Sequence, residues 1–224
     1  MRALKKIFSL LLTQDKREVL DLNTFGNEVA FKTSWRPLAL GGINFCTHRA
    51  KKNTSLMGDT FVFRTTIVAY LFAFVFGALG AMIVIASVAV GLSDMSGIVG
   101  IGLLAFGCWY QWSLRQKEST FDRYSRRLAQ GKKSFDLTNA EAIQLIREYI
   151  RGHRSSYYSY ELNLICSDGS RINIVDHGAL RKLREDAALL AEYLGVPVWD
   201  AIDFRLPDAE LFYGKAEVPR QNLG

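Results

Sequence analysis

The stretch 65–114 constrains the fold of this chain more than any other feature, because its only acidic or basic side chain is Asp94. About 20 apolar residues are enough to cross a bilayer core. The sequence therefore predicts two transmembrane helices, at about 66–90 and 96–114, with the turn between them at Asp94. The alternative is a buried helical hairpin of a soluble protein, but soluble cores rarely need so long a run without a charge.

The net charge of +6 is concentrated on both sides of this stretch. Residues 1–64 carry 11 Lys and Arg against 5 Asp and Glu, and residues 115–133 carry 7 against 2. The turn at Asp94 has no basic residue. Because Lys and Arg near the ends of spans stay in the cytoplasm, we expect a multi-pass membrane protein with both termini cytoplasmic.

The chain before the first span divides into two parts. Residues 1–17 have one basic and one apolar face at helical spacing, which predicts an amphipathic helix. This helix can lie in the headgroup layer of an anionic leaflet, or it can pack on the soluble domain. Three segments of residues 28–64 have the pattern of strands: 29–33, 40–46 and the segment TFVFR at 60–64. Two or three strands are unstable alone, so we expect them to pair with the C-terminal domain.

Small side chains recur on one face of each predicted span. They are Ala69, Ala73, Gly77 and Ala81 in the first, and Gly97, Gly100 and Gly107 in the second. Because small residues allow helix backbones to approach closely in lipid, we interpret them as the contact between the two spans. The alternative is that one of these faces contacts a partner helix or a second copy of the chain, giving a homo-oligomer.

Residues 115–203 are predicted to form an α+β cytosolic domain. Hydrophobic and polar side chains alternate over 158–164, and the Asp168-Gly169 turn leads into a second alternating run, which predicts a β-hairpin. An amphipathic helix follows at 179–194.

Two further segments of this region are less defined by their pattern. Residues 136–150 fit a helix or a strand, because both periods are present. Residues 204–224 lack a clear period, which predicts a polar tail.

Two runs of the cytosolic region carry a resemblance to a known architecture. They read YSYELNLICSDGSRINIVDHG and LREDAALLAEYLGVPVWD. A meandering antiparallel sheet followed by one terminal helix resembles the pleckstrin-homology-like domain, and the layout is similar to uncharacterised bacterial membrane proteins with two helices. Over about 119–200, the resemblance implies an antiparallel barrel-like sheet capped by the C-terminal helix, with 136–150 largely a strand. It also implies an inner-membrane location and an adaptor role, but no active site.

Five basic residues that follow the second span are candidates for contact with the membrane surface: Arg123, Arg126, Arg127, Lys132 and Lys133. Each Lys or Arg close to an anionic leaflet contributes about 1 kcal/mol to binding. We therefore expect anionic lipids as partners of this segment. The alternative is that these charges only set the topology.

A second candidate is an anion site at the start of the C-terminal helix, formed by Arg171, His177 and Arg181. Backbone amides at a helix start can hold an anion, and the two arginines could assist. The alternative is that Asp176 caps the helix and His177 forms local hydrogen bonds.

Other chemistry is not indicated by the sequence. Cys46 and His48 would share one face of a strand, but such a pair is at most half a metal site. There is no glycine-rich phosphate loop after a strand, and no serine in a nucleophile elbow. The excess positive charge lies beside the predicted spans rather than across a domain face, which does not favour nucleic acid. We expect no enzyme activity, metal, cofactor or nucleic-acid partner.

These patterns give a lead hypothesis and two alternatives for function. The lead is an inner-membrane-anchored adaptor or assembly protein whose cytosolic domain binds a partner protein at the membrane surface. The first alternative is a module that binds the headgroups of anionic lipids. The second is a non-catalytic accessory subunit of a larger membrane enzyme or transporter.

Overall fold

A computed structural model describes five stretches of the chain: 17–38, 42–55, 58–91, 94–151 and 156–206. The helix predicted at 1–17 lies outside the described residues except for Arg17, and the tail predicted at 204–224 lies outside them from residue 207 onwards. The helices in chain order are α1 (Val29–Lys32), α2 (Ile67–Val90), α3 (Asp94–Gln116) and α4 (Leu180–Leu194). The strands are β1 (His48–Ser55), β2 (Gly58–Thr65), β3 (Ser119–Asp122), β4 (Arg127–Gln130), β5 (Lys133–Asp136), β6 (Ala140–Arg151), β7 (Ser156–Cys166), β8 (Arg171–His177) and β9 (Val198–Asp200).

The helices α2 and α3 form an apolar hairpin that projects from the rest of the fold. Thr66 caps the start of α2, since its side chain accepts a hydrogen bond from the Ala69 amide, and Gly91 ends α2 in the left-handed conformation at φ 64°. Within the most apolar 18 residues of each helix, only 11% and 17% of residues are buried. Both helices are long and apolar enough to span a membrane.

The contact between α2 and α3 runs along the predicted small residues. A Cβ atom on Gly107 would lie 2.6 Å from the Gly77 amide nitrogen, and one on Gly100 would lie 3.0 Å from the Val84 amide nitrogen. The two backbones are therefore too close for larger side chains at these positions, which confirms the predicted contact. Gly80 also belongs to this seam, since its Cβ would lie 2.4 Å from the backbone nitrogen of Leu104.

The strands form two sheets rather than the predicted barrel. The first is an antiparallel meander of β1 to β5, and the second has the order β8-β7-β6-β9, with β9 parallel to β6. A tight turn after β5 separates them, because Asp136 Oδ1 accepts hydrogen bonds from the Thr138 amide at 2.8 Å and from its hydroxyl at 2.6 Å. This turn directs β6 away from β5 and into the second layer, so within the described residues no ladder closes a barrel.

The main core lies where the two sheets meet α4. Phe61, Phe63 and Phe121 of the first sheet pack with Leu145 and Leu162 of the second. The apolar side of α4 completes this core with Leu183, Ala187 and Leu190. These helix positions are the ones that the amphipathic pattern predicts, and Gly195 ends α4 in the left-handed conformation at φ 73°.

The opposite face of the second sheet is covered by the segment that precedes β1. Trp35 and Phe25 of this segment stack with ring centroids 5.2 Å apart, and Trp35 lies 6.1 Å from Trp199 of β9. Because both faces of the sheet are covered, residues 142–146 of β6 are all buried. A strand buried on both faces has no alternation, which explains why 136–150 was ambiguous. It is largely a strand.

The prediction of a strand that begins at Val29 is wrong. The residues from Val29 form the short helix α1, because the Asn27 side chain accepts a hydrogen bond from the Val29 amide at 2.8 Å and starts a turn. The segment at 42–46 contributes a single bridge between Ile43 and His177 rather than a strand. The strand predicted at 60–64 is present as β2, and it pairs with β3 of the C-terminal region.

Candidate functional site

The apolar hairpin is attached to the domain at both of its ends. At the start of α2, the Thr66 hydroxyl donates to the Cys46 carbonyl at 2.8 Å, and the Thr66 amide donates to the Thr47 carbonyl at 2.8 Å. At the end of α3, His48 Nε2 donates to the Leu114 carbonyl at 3.0 Å. One segment, 46–48, therefore holds both helix ends.

A second set of contacts joins the same helix ends through Glu118. Its Oε1 accepts a hydrogen bond from the Thr65 amide at 3.1 Å and another from the Tyr70 hydroxyl at 3.3 Å. Only Thr66 separates β2 from α2, and only two residues separate α3 from β3. The hairpin is thus continuous with the first sheet, without a flexible linker.

A cleft of about 690 Å³ lies beside the end of α3. We call it the basic cleft, and its main lining side chains are Trp112, Lys117, Lys132, Lys133, Phe135 and Arg171. It forms where the β4–β5 turn meets α3 and the start of β8. Gly131 in that turn, at φ 55°, is so close to α3 that a Cβ atom would lie 2.9 Å from the Gln116 carbonyl oxygen.

The charged side chains that line the basic cleft are all basic. Among the described residues, no carboxylate lines it, and its three lysines are exposed and form no salt bridge. Arg171 is half-buried, and its Nη1 donates to the Arg36 carbonyl at 2.7 Å, which holds the guanidinium group in place. The cleft can therefore attract an anion with both mobile and fixed cations.

The structure separates the five basic residues predicted to contact the membrane surface. Lys132 and Lys133 lie at the end of the β4–β5 hairpin that adjoins α3. Arg127 pairs with Asp122 at the opposite end of β3, about 10 Å away at the rise of an extended strand. Arg123 and Arg126 lie in the turn at that same far end, and all five side chains are exposed.

The three residues of the predicted anion site are not brought together. Arg171 and His177 begin and end β8, so they lie about 20 Å apart along the strand. Arg181 is exposed and pairs with Glu185 at 3.4 Å. Arg171 instead joins Lys132 and Lys133 in the basic cleft.

His177 is a structural residue in a buried site. Its Nδ1 accepts the Ala179 amide at 3.3 Å, as the alternative with local hydrogen bonds predicts, and its Nε2 lies 3.7 Å from Cys46 Sγ. Burial lowers the pKa of His177 to about 4, so the ring is neutral at pH 7. Asp176 does not cap α4, since it accepts the Ser159 hydroxyl at 2.5 Å and the N-cap position is Ala179.

The buried thiol and imidazoles do not form a reactive site. Burial raises the pKa of the Cys46 thiol and lowers the pKa of His48, which keeps both groups neutral. Cys46 Sγ donates to the His48 carbonyl at 3.2 Å. Among the described residues, no group of three or more His, Cys, Asp or Glu could hold a metal ion.

Sequence reasoning missed Lys117 and the role of the β4–β5 turn in forming the cleft. Lys117 directly follows α3. Its closeness to the end of the predicted second span could have marked it as a candidate for contact with the membrane surface. The packing of Gly131 on Gln116 had no local signal, because it depends on how β4 returns along β3.

Comparison with known proteins gives no family assignment: no protein-family model, curated protein or solved structure matches this chain.

Proposed function

We propose that this chain is a non-catalytic membrane-anchored adaptor that holds its α+β domain against the cytoplasmic face of a bacterial inner membrane for a protein partner. The observation that carries the proposal is the attachment of both helix ends to the domain through segment 46–48 and Glu118. A domain fixed in this way has a defined orientation to the bilayer, which is what presentation of one surface to a partner requires.

The surface best suited to a protein partner is the projecting end of the β6–β7 hairpin. Tyr149 and Tyr158 pair across it, with ring centroids 5.2 Å apart, and the Arg147 guanidinium lies 4.6 Å from the Tyr158 ring centroid. Both tyrosines are partly exposed, at 54% and 44%. Tyr and Arg are enriched among the residues that dominate binding energy at protein interfaces.

This end of the hairpin extends past its neighbouring strands. The last residue of β8, His177, pairs with Tyr160, and β9 pairs only with 143–145 of β6. The tyrosine pair therefore stands beyond the ladders on both sides, where a partner can reach it.

The proposal is tested by placing a photocrosslinking phenylalanine analogue at Tyr149 of the full chain in native membranes. The matched control carries the analogue at Tyr124, which is 92% exposed in the β3–β4 turn. We expect one discrete adduct from position 149 and none of that mass from position 124. No adduct at 149, or the same adducts at both positions, would contradict the adaptor role.

The proposed orientation has its own test, because positive charge near the spans is its only support. Single cysteines are introduced as Ser93→Cys and Ser170→Cys in a chain whose own cysteines are replaced by serine. A thiol reagent that cannot cross the inner membrane should modify position 93 in intact cells and leave position 170 unmodified. The reverse pattern would place the domain outside the cytoplasm.

A further inference from the structure

We propose that the basic cleft binds the phosphate-bearing headgroup of one anionic phospholipid taken from the leaflet around the hairpin. The inference rests on the proposed membrane anchorage, but it is independent of the protein partner at the β6–β7 hairpin. It assigns a specific lipid site where the sequence predicted only a diffuse basic flank.

The position of the cleft is the first argument. Trp112, in the last turns of α3, is 58% exposed and lines the cleft. Tryptophan at the end of a membrane span lies at the level of the lipid headgroups. A lipid packed against α3 therefore has its headgroup at the mouth of the cleft.

The charges of the cleft fit a phosphodiester. Lys117, Lys132 and Lys133 supply three exposed ammonium groups, and Arg171 supplies a guanidinium group that is held by the Arg36 carbonyl. Guanidinium groups bind phosphate with directed hydrogen bonds, whereas ammonium groups act as point charges. No acidic side chain among the described residues lines the cleft to oppose an anion.

The remaining walls favour a lipid over a small soluble anion. Phe135 and Ile172 line the cleft together with Trp112, so its surface is partly apolar. A free phosphate ion has no apolar part to place there, whereas the glycerol and first acyl carbons of a lipid do. The volume of about 690 Å³ is within the range of small-ligand sites and can hold a headgroup with its glycerol.

Native mass spectrometry of the full chain in mild detergent tests the proposal, with phosphatidylglycerol as the anionic probe and phosphatidylcholine as the neutral one. The cleft variant is K132Q/K133Q. The matched variant is R126Q/R127Q, which removes the same charge from the far end of the same strands. K117Q is a second cleft variant, should the first be unstable.

We expect one retained phosphatidylglycerol per chain, weakened roughly 25-fold in K132Q/K133Q at about fivefold per cation lost. The R126Q/R127Q variant should bind nearly as well as the wild type. Equal losses in both double variants, or equal retention of phosphatidylcholine, would overturn the proposal. Displacement of the lipid by millimolar inorganic phosphate would assign the cleft to a soluble anion and would also overturn it. The crosslink from position 149 should persist in K132Q/K133Q, which separates this proposal from the adaptor role.

Discussion

Replacement of Asp186 by asparagine should change how the stability of this protein depends on pH. Asp186 lies on α4 against β1, and its side chain is fully buried. Arg49 Nε lies 3.1 Å from Asp186 Oδ1, and both Arg49 and the Ala50 amide stabilise the ionised carboxylate. Burial is the main cause that raises the pKa of Asp186, from 3.8 to about 6, while Arg49 opposes the shift.

The magnitude follows from this pKa. Because the pKa of Asp186 is about two higher in the folded state, ionisation of the buried carboxyl lowers the free energy of unfolding by about 3 kcal/mol. Between pH 4 and about 6 the folded state binds more protons than the unfolded state, so this contribution to stability falls as pH rises. It becomes constant only about one pH unit above the folded-state pKa. The Asp186→Asn variant cannot ionise, and Arg49 keeps Glu185 as a partner at 3.2 Å.

The stability difference between wild type and variant isolates this effect. Burial also raises the pKa of Asp176 to about 6, which acts in the same direction, and lowers the pKa of His177 to about 4, which acts in the opposite direction. Both groups are present in both proteins and cancel in the difference. The assay is thermal unfolding in mild detergent, followed by tryptophan fluorescence, to which buried Trp35 and Trp199 contribute.

We expect the melting temperature of the wild type, relative to the variant, to fall by about 5 to 10 °C between pH 4 and pH 7, at about 2 to 4 °C per kcal/mol. Glu185→Gln is the matched control, because Glu185 contacts the same Arg49 but its side chain is 47% exposed. The melting-temperature difference between Glu185→Gln and the wild type should vary much less between pH 4 and pH 7. A wild-type to D186N difference that is constant with pH, or that grows in favour of the wild type as pH rises, would refute the reasoning.

Two further substitutions test the hairpin and the attachment of the N-terminal segment. Gly107→Ala should force α2 and α3 apart, because the new Cβ would lie 2.6 Å from the backbone of Gly77. Gly102→Ala is the control, since its Cβ would have nothing within 4 Å. We expect a lower melting temperature for Gly107→Ala and an unchanged one for Gly102→Ala, and equal melting temperatures would contradict the close contact between the helices. Trp199→Ala should destabilise the fold by about 3 to 5 kcal/mol, since this side chain is 1% exposed. Tyr124→Ala, at an exposed turn, is its control, and equal unfolding temperatures would exclude a packed role for the tryptophan.

The two helices and the C-terminal hairpin could be predicted because their signals are local. A long apolar run whose only charge is Asp94 is typical of two transmembrane helices, and this pattern predicts the bounds of α2 and α3 closely. The alternation over 158–164 and the Asp168-Gly169 turn similarly predict β7 and β8. In each case, a side chain's environment repeats with the period of the element, so a short window is sufficient.

Elements in which buried and exposed side chains do not follow a regular period were mispredicted, or their type was left undecided. Strand β6 is covered on both faces, so its sequence has no alternation. At α1, Ala30 is buried while Phe31 is 44% exposed, which inverts the pattern that a strand from Val29 would need. The predicted barrel failed for a related reason, since the turn at Asp136 decides which strand β6 pairs with.

The sequence by itself determined that this chain has an apolar hairpin with basic flanks and an α+β domain after it. Only the tertiary structure decided which charges lie close together. Lys132 and Lys133 line one cleft with Arg171, nearly 40 residues away in the sequence, while Arg123, Arg126 and Arg127 lie at the other end of the same strands. The physical reason is that charge and hydropathy are properties of a segment, whereas a cleft is a property of how strands return and pack.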